Sequence, residues 1–226
     1  MVSSKASYGA TLVYLRPLPT ARAKRLMSAR VEAIAYVVTS GWASGISVYA
    51  TVLVTGLSGR FGGLDSVPHA FERTDVLILA AILAAFEFVA DKIPYVDSAW
   101  DAVHTVIRPA FGAVMGGLIA GETGDLNQAV AVLLGGGTAF GSHATKSSLR
   151  LAVNASPEPV SNIVLSLSED GAVVGVLLLA IHHPWAALAI ALVLLVFGAL
   201  LAMLAIRRVR RGLRRLRSHM TRLSGA

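Results

Sequence analysis

Cysteine is absent from the 226 residues. That excludes disulfides, thiolate metal sites and a thiol nucleophile, and it leaves the compartment open. Charge is scarce as well. Only 15% of residues are Asp, Glu, Lys or Arg, where ordinary soluble domains carry about 25%. Acid is missing altogether from both ends: residues 1–30 hold six Lys or Arg, residues 207–226 hold eight Arg, and neither stretch holds an Asp or Glu. The body between them therefore sets the remaining six bases against all thirteen acids, a formal charge of −7. No HExxH, no serine-nucleophile motif and no Gly-rich phosphate loop occurs. An enzyme is not expected, although carboxylates with an arginine leave a phosphatase-like hydrolysis open. No cofactor or metal site is expected. The first thirty residues lack a signal peptide's apolar stretch, being interrupted by Arg16, Pro17 and Pro19, so they are expected to be retained.

What is present in quantity is hydrocarbon. The chain is 55% hydrophobic, with a mean hydropathy of +0.67, and runs such as residues 185–206 can cross a hydrocarbon core of about 30 Å. These features predict an all-α, polytopic membrane protein of about six transmembrane helices. The basic ends place both termini on the cytoplasmic face by the positive-inside rule. Residues 1–30 read as a basic cytoplasmic lead-in, 31–121 and 122–206 as two membrane repeats, and 207–226 as a basic tail. In the tail, Ile206, Val209, Leu213, Leu216, Met220 and Leu223 recur at spacings of 3 and 4. That is an amphipathic helix suited to anionic lipid headgroups at the membrane surface. On so apolar a chain, lipid is a better match to the arginines than nucleic acid.

The centre of interest is residues 87–108, between two apolar segments, with Glu87, Asp91, Asp97, Asp101, His104 and Arg108. Each ionisable group at bilayer depth costs about 2.5–3.5 kcal/mol on the insertion scale. Several together require water, partners or a ligand. Glu87 and Asp91 stand four apart at the end of a helix over residues 75–91, with Asp75 as its cap. Asp97, Asp101, His104 and Arg108 are spaced 4, 3 and 4, on one face of a helix that continues through Pro109. The other reading of that face is an interfacial helix with solvated charges. Further on, His143, Lys146 and Arg150 form a basic helical face. That face fits an anion or lipid-phosphate contact, or simply a cytoplasmic helix end.

Two glycine-rich stretches interrupt apolar segments: Gly41 and Gly45 in the first, and Gly135, Gly136, Gly137 and Gly141 in the fourth. They are read as helix breaks, spanning or re-entrant. Gly41 and Gly135 lie 94 residues apart, and at that offset Tyr49-Ala50-Thr51 matches His143-Ala144-Thr145 and Asp75 matches Glu169. With three spans per half, the halves are expected to be inverted repeats with broken first helices, a plan found in secondary transporters. Pairs such as Gly112/Gly116, Gly117/Gly121 and Gly171/Gly175 suit close helix packing within the chain or in a homo-oligomer.

The strings EFVADKIPYVDSAWDAVHTVIRP and SHATKSSLRLAVNASPEPVSN resemble a bacterial family of small membrane proteins catalogued as domain of unknown function 4126. The resemblance covers residues 40–200. It implies a multi-pass protein of the bacterial cytoplasmic membrane and assigns no activity. In plan only, broken helices in inverted halves are similar to polyprenyl-phosphate recycling membrane proteins.

Three functions follow as expectations. The first is a transporter or lipid flippase, proton-coupled, in which Glu87, Asp91 and Asp101 exchange protons while Arg108, His143, Lys146 and Arg150 hold an anionic or phosphorylated substrate. The second is divalent-cation binding or transport by Asp97, Asp101 and His104 with Glu87 and Asp91 nearby. The third is a scaffold subunit whose charges fix helix register.

Overall fold

The computed structural model describes residues 20–62, 67–124, 126–154 and 159–223. Residues 1–19 of the expected lead-in, Asp65, Asp125 and residues 155–158 of the two-proline turn lie outside the described residues. Among the described residues the chain is entirely helical, with no strand. The helices are α1 (Thr20–Ile46), α2 (Val48–Gly62), α3 (Thr74–Ala90), α4 (Val96–Thr123), α5 (Gln128–Asn154), α6 (Pro159–His182) and α7 (Pro184–Leu223), with one 3-10 turn at His69–Glu72 before α3.

Three of these helices are long and apolar enough to cross a membrane: Val96–Thr123, Val160–His182 and Pro184–Arg211. Their outer faces are hydrocarbon. Val106 and Val114 of α4 and Val193, Val196 and Phe197 of α7 are exposed, as are Ile78, Leu79, Ile82 and Phe86 of α3. In water such a surface would drive aggregation; in lipid it is the expected exterior. The chain is a helical membrane protein.

The glycines do not break helices. α1 runs through Gly41 and Gly45, and α5 runs through Gly135, Gly136, Gly137 and Gly141 without interruption. A glycine inside a helix costs only about 1 kcal/mol relative to alanine, and here the missing side chain lets backbones touch. A Cβ on Gly41 would come within 2.7 Å of the Gly135 carbonyl oxygen, and one on Gly45 would overlap the Ala139 carbonyl. A Cβ on Gly112 would lie 2.5 Å from Ala139 Cβ, and one on Gly135 would overlap the Gly112 carbonyl. α1, α4 and α5 therefore meet along a seam of backbone. Gly116 joins the same seam, packed against Ala131 and Val37, whereas Gly121, Gly137, Gly171 and Gly175 face open space.

The first segment does break, six residues beyond Gly41, at Ser47. Its hydroxyl accepts the Ala50 amide at 3.2 Å and so caps the start of α2. α2 then packs against α3, with Gly56 over Phe71 and Leu77 and Gly59 over Val67.

The seam also fixes direction. Gly41 meets Gly135 and Thr138, while Gly45 meets Ala139 and Ser142, so α1 and α5 run parallel. Gly141 meets Leu195 and Gly198 meets Thr145, so α7 is parallel to both. Inversion would make α1 and α5 antiparallel, so this pairing runs against the inverted repeat. The start of α1 at Thr20 and the basic end of α7 lie toward opposite ends of the bundle, and most of the basic lead-in, residues 1–19, lies outside the described residues. A further difference concerns the tail, which prolongs α7 to 40 residues, about 60 Å at 1.5 Å per residue, instead of starting a separate surface helix.

Asp75 is a first-turn residue rather than the cap of α3; the cap position is Arg73. The Arg73 guanidinium 2.7 Å away holds the exposed Asp75 carboxyl down to about 2. Between α3 and α4 the turn is made by Tyr95, a non-glycine residue at φ 71°, a conformation side chains rarely adopt. It reverses the chain within five residues, so Asp91 and Asp97 both face inward.

Candidate functional site

The charged face of α4 is buried. Asp97, Asp101, His104 and Arg108 are all 3% exposed or less, which excludes the solvated interfacial helix. The basic face of α5 is buried opposite it: His143, Lys146 and Arg150 are each 2% exposed or less. Glu87 and Asp91, from the end of α3, complete the set. Acids from α3 and α4 thus meet bases from α5, which sequence spacing had placed on separate faces.

Two groups result. In the first, Arg108 Nη2 donates to Glu87 Oε1 at 2.8 Å, and Nη1 donates to Asp101 Oδ1 at 2.7 Å. Nη1 also approaches His143 Nδ1 at 2.8 Å. Arginine can only donate, so Nδ1 accepts, and the ring proton sits on Nε2, which donates to Thr105 Oγ1 at 3.2 Å. The Ser47 hydroxyl donates to Glu87 Oε2, coupling the α1–α2 break to the carboxylate. Beside this group, His104 Nδ1 donates to the Trp100 carbonyl at 2.8 Å, leaving Nε2 to accept the Tyr49 hydroxyl at 3.1 Å.

In the second group, Asp91 Oδ2 is held by Lys146 at 2.6 Å and Arg150 at 3.1 Å. Arg150 also donates to Glu169 Oε2 at 2.7 Å and reaches Asp97 Oδ2 at 3.4 Å. Asn154 Nδ2 donates to both oxygens of Asp97, at 2.9 and 3.0 Å. Lys146 donates to the Ile46 carbonyl at 2.9 Å, an acceptor freed by the interruption after α1. At the edge, Lys92 bridges α3 to Asp170 of α6 at 3.3 Å and lies over the Phe88 ring, 3.0 Å from its centroid.

Depth follows from α7. His143 lies between Gly141, beside Leu195, and Thr145, beside Gly198. The Arg108 group is therefore level with residues 196–197, about 15 Å along the helix from Ile206. With the hydrocarbon edge set at Ile206, the last residue before the arginine run, that is half of a core of about 30 Å. The Asp91–Arg150 group lies about two turns closer to the basic end of α7.

All nine charged or histidine residues picked from the sequence are buried within or beside these groups. Glu169, Asn154, Ser47 and Tyr49 are the participants that spacing did not pick. Glu169 could have been found, because a carboxylate ten residues into an apolar helix is itself a functional-site hypothesis. The isolated hydroxyls and the asparagine carry no such signal. Of the glycines, Gly41, Gly45 and Gly135 position α1, α4 and α5 around the site, whereas a Cβ on Gly137 would meet nothing within 4 Å.

For the divalent-cation reading, no group of three His, Asp or Glu side chains able to hold a metal is brought together among the described residues. Asp97, Asp101 and His104 are turned to different partners. The arrangement is instead an ion-pair lattice. At bilayer depth it can exchange protons between carboxylates, or release a guanidinium when a carboxylate is neutralised.

Fold and site together define a polytopic helical membrane protein with a buried ion-pair lattice. The chain belongs to the family described as Domain of unknown function (DUF4126), which it matches over residues 34–204. That match takes in both charged groups and the glycine seam. No curated protein and no solved structure matches the chain.

Proposed function

We propose that the chain is a proton-linked membrane transporter or lipid flippase acting on an anionic or phosphorylated substrate. One observation carries this reading. Five carboxylates, the buried Glu87, Asp91, Asp97 and Asp101 and the partly buried Glu169, surround only three permanent cations, Arg108, Lys146 and Arg150. His143 adds no charge while its Nδ1 accepts from Arg108. Fully ionised, the lattice holds two negative charges in excess, one in each group. Uncompensated charge in a low-dielectric interior costs several kcal/mol, so each group favours taking up one proton.

Protonation supplies the coupling. A neutralised carboxyl loosens its hold on the guanidinium, which then turns to another anion. Arg108 Nε and Arg150 Nε are already buried donors without an acceptor. Each offers an unused N–H to a phosphate oxygen, and arginine's fork suits phosphate. The discontinuity at Ser47, hydrogen-bonded to Glu87, is the point where α1 and α2 can shift relative to each other as the carboxylate changes charge.

A scaffold reading is favoured by a different observation: every one of the three cations already has carboxylate partners, as a register lock would require. The two readings separate in proteoliposomes under an imposed pH gradient, using inorganic phosphate and a fluorescent short-chain phosphorylated lipid as separate probes. A transporter moves one probe faster than empty vesicles do, with loss in Arg108→Ala and Asp101→Asn. If neither probe moves, or movement survives both substitutions, the scaffold reading stands.

A further inference from the structure

The lattice needs a route to water, and two cavities of similar size differ in whether they can supply one. A groove of about 250 Å3 between α5, α6 and α7 reaches Lys146 and Glu169 of the second group and three hydroxyl residues, but most of its wall is apolar, with Trp42, Leu194, Leu195, Phe197 and Leu201. Apolar walls of that kind leave a cavity dry or filled with lipid chain. The other, about 240 Å3 between α4 and α5, is lined by Ser98, Asp101, Thr105, Ser147 and Arg150, with only Ala102 and Leu151 apolar. Three hydroxyls, a carboxylate and a guanidinium offer each water the two to four polar partners it needs.

This cavity touches both charged groups. Asp101 belongs to the Arg108 group and Arg150 to the Asp91 group, and both line it. Asp101 presents its less firmly held oxygen: Oδ1 is tied to Arg108 at 2.7 Å, while Oδ2 has the Ser147 hydroxyl at 3.5 Å. Behind the wall, His143 Nε2 contacts Thr105 Oγ1 at 3.2 Å and Ser147 Oγ at 3.4 Å, and its Nδ1 faces Arg108. Hydroxyl, imidazole and carboxylate thus connect the cavity to the interior. Ser147 lies between Thr145, beside Gly198, and Leu149, which lines the same groove as Leu201, about 10 Å along α7 from Ile206.

We propose that the α4–α5 cavity is the hydrated port through which the buried carboxylates exchange protons with the aqueous face at the basic end of α7, Asp101 being the group that takes the proton first. Its role in coupling rests on the proton-linked reading above, but the port itself does not. The charged and titratable groups around Asp101 are Asp97, His104 and Arg108 on its own helix, Glu87 and Asp91 at the end of α3, and His143, Lys146 and Arg150 on α5. Glu169 of α6 lies beyond Arg150.

The lack of native cysteine makes the port directly testable in the full chain reconstituted into liposomes. Single substitutions Ser98→Cys and Ala102→Cys line the cavity, Val106→Cys is exposed on the same helix but faces lipid, and Ala139→Cys is packed in the seam. Because only the hydrated thiolate reacts, a charged, membrane-impermeant maleimide should modify the two cavity positions on the order of tenfold faster than Val106→Cys or Ala139→Cys. Equal rates at Ala102→Cys, Ser98→Cys and Val106→Cys would overturn the port. A water-soluble carbodiimide, which attacks protonated carboxyls, should give its first adduct at Asp101 by mass spectrometry. A first adduct on Glu87, Asp91, Asp97 or Glu169 would overturn the order of protonation. Reactive cavity cysteines without any gradient-driven flux leave the port in place and remove the transport reading. Flux with an unreactive cavity does the reverse.

Discussion

One half of this molecule is held by what its residues lack, the other by what they carry. In the seam of α1, α4 and α5, Gly41, Gly45, Gly112 and Gly135 bring backbones together with no side chain between them. In the lattice of α3, α4, α5 and α6, side chains at similar burial carry formal charge. The seam has one way to pack and no titratable group. The lattice can change with pH, because any of five carboxylates can be neutralised. The seam is thus fixed by shape, and the lattice is the part that responds to charge.

That contrast can be broken most severely at Arg108. Arg108→Ala leaves Glu87 and Asp101 facing each other at bilayer depth, a loss of about 3–5 kcal/mol. It should be seen as a large drop in resistance to unfolding by SDS, or as no folded protein at all. The neutral triple variant Glu87→Gln, Asp101→Asn, Arg108→Met removes all the charges together and should recover most of that stability. A triple variant as unstable as Arg108→Ala would mean that shape, not charge balance, sets the cost. Next comes the seam, where Gly135→Val should destabilise by about 1–3 kcal/mol through overpacking against Gly112, measured the same way. The half-exposed Lys92–Asp170 pair is worth less, and Lys92→Ala should cost about 1 kcal/mol or under. Smallest is Gly137→Ala. It meets open space and should be neutral or stabilising by up to about 1 kcal/mol, so a loss there would reveal a contact with a second molecule.

The charged faces were legible in the sequence because helical periodicity needs only one chain segment. Asp97, Asp101, His104 and Arg108 fall on one side of α4 whatever surrounds them, and His143, Lys146 and Arg150 do the same on α5. Their meeting was not legible, since nothing local says which faces of two helices pack together. The glycines misled for the same reason. A glycine reads identically whether the helix stops or a neighbour presses close, and only the presence of the Gly112 carbonyl over Gly135 decides. The actual break, at Ser47, rests on a single hydroxyl that caps α2 and reaches Glu87 forty residues away. The match of Asp75 with Glu169 at the 94-residue offset fails for a related reason. One is exposed and paired with Arg73, while the other is paired with buried Arg150.

The surplus of carboxylates over cations is the point on which the functional account turns, and infrared spectroscopy reads it directly. In lipid-reconstituted protein, the carbonyl stretch of protonated carboxyl groups should correspond to about two neutral carboxyls per chain at neutral pH, one for each charged group. It should grow on acidification and shrink in Asp101→Asn. A chain with no protonated-carboxyl band until the pH falls to the range of free aspartate and glutamate would contradict the account.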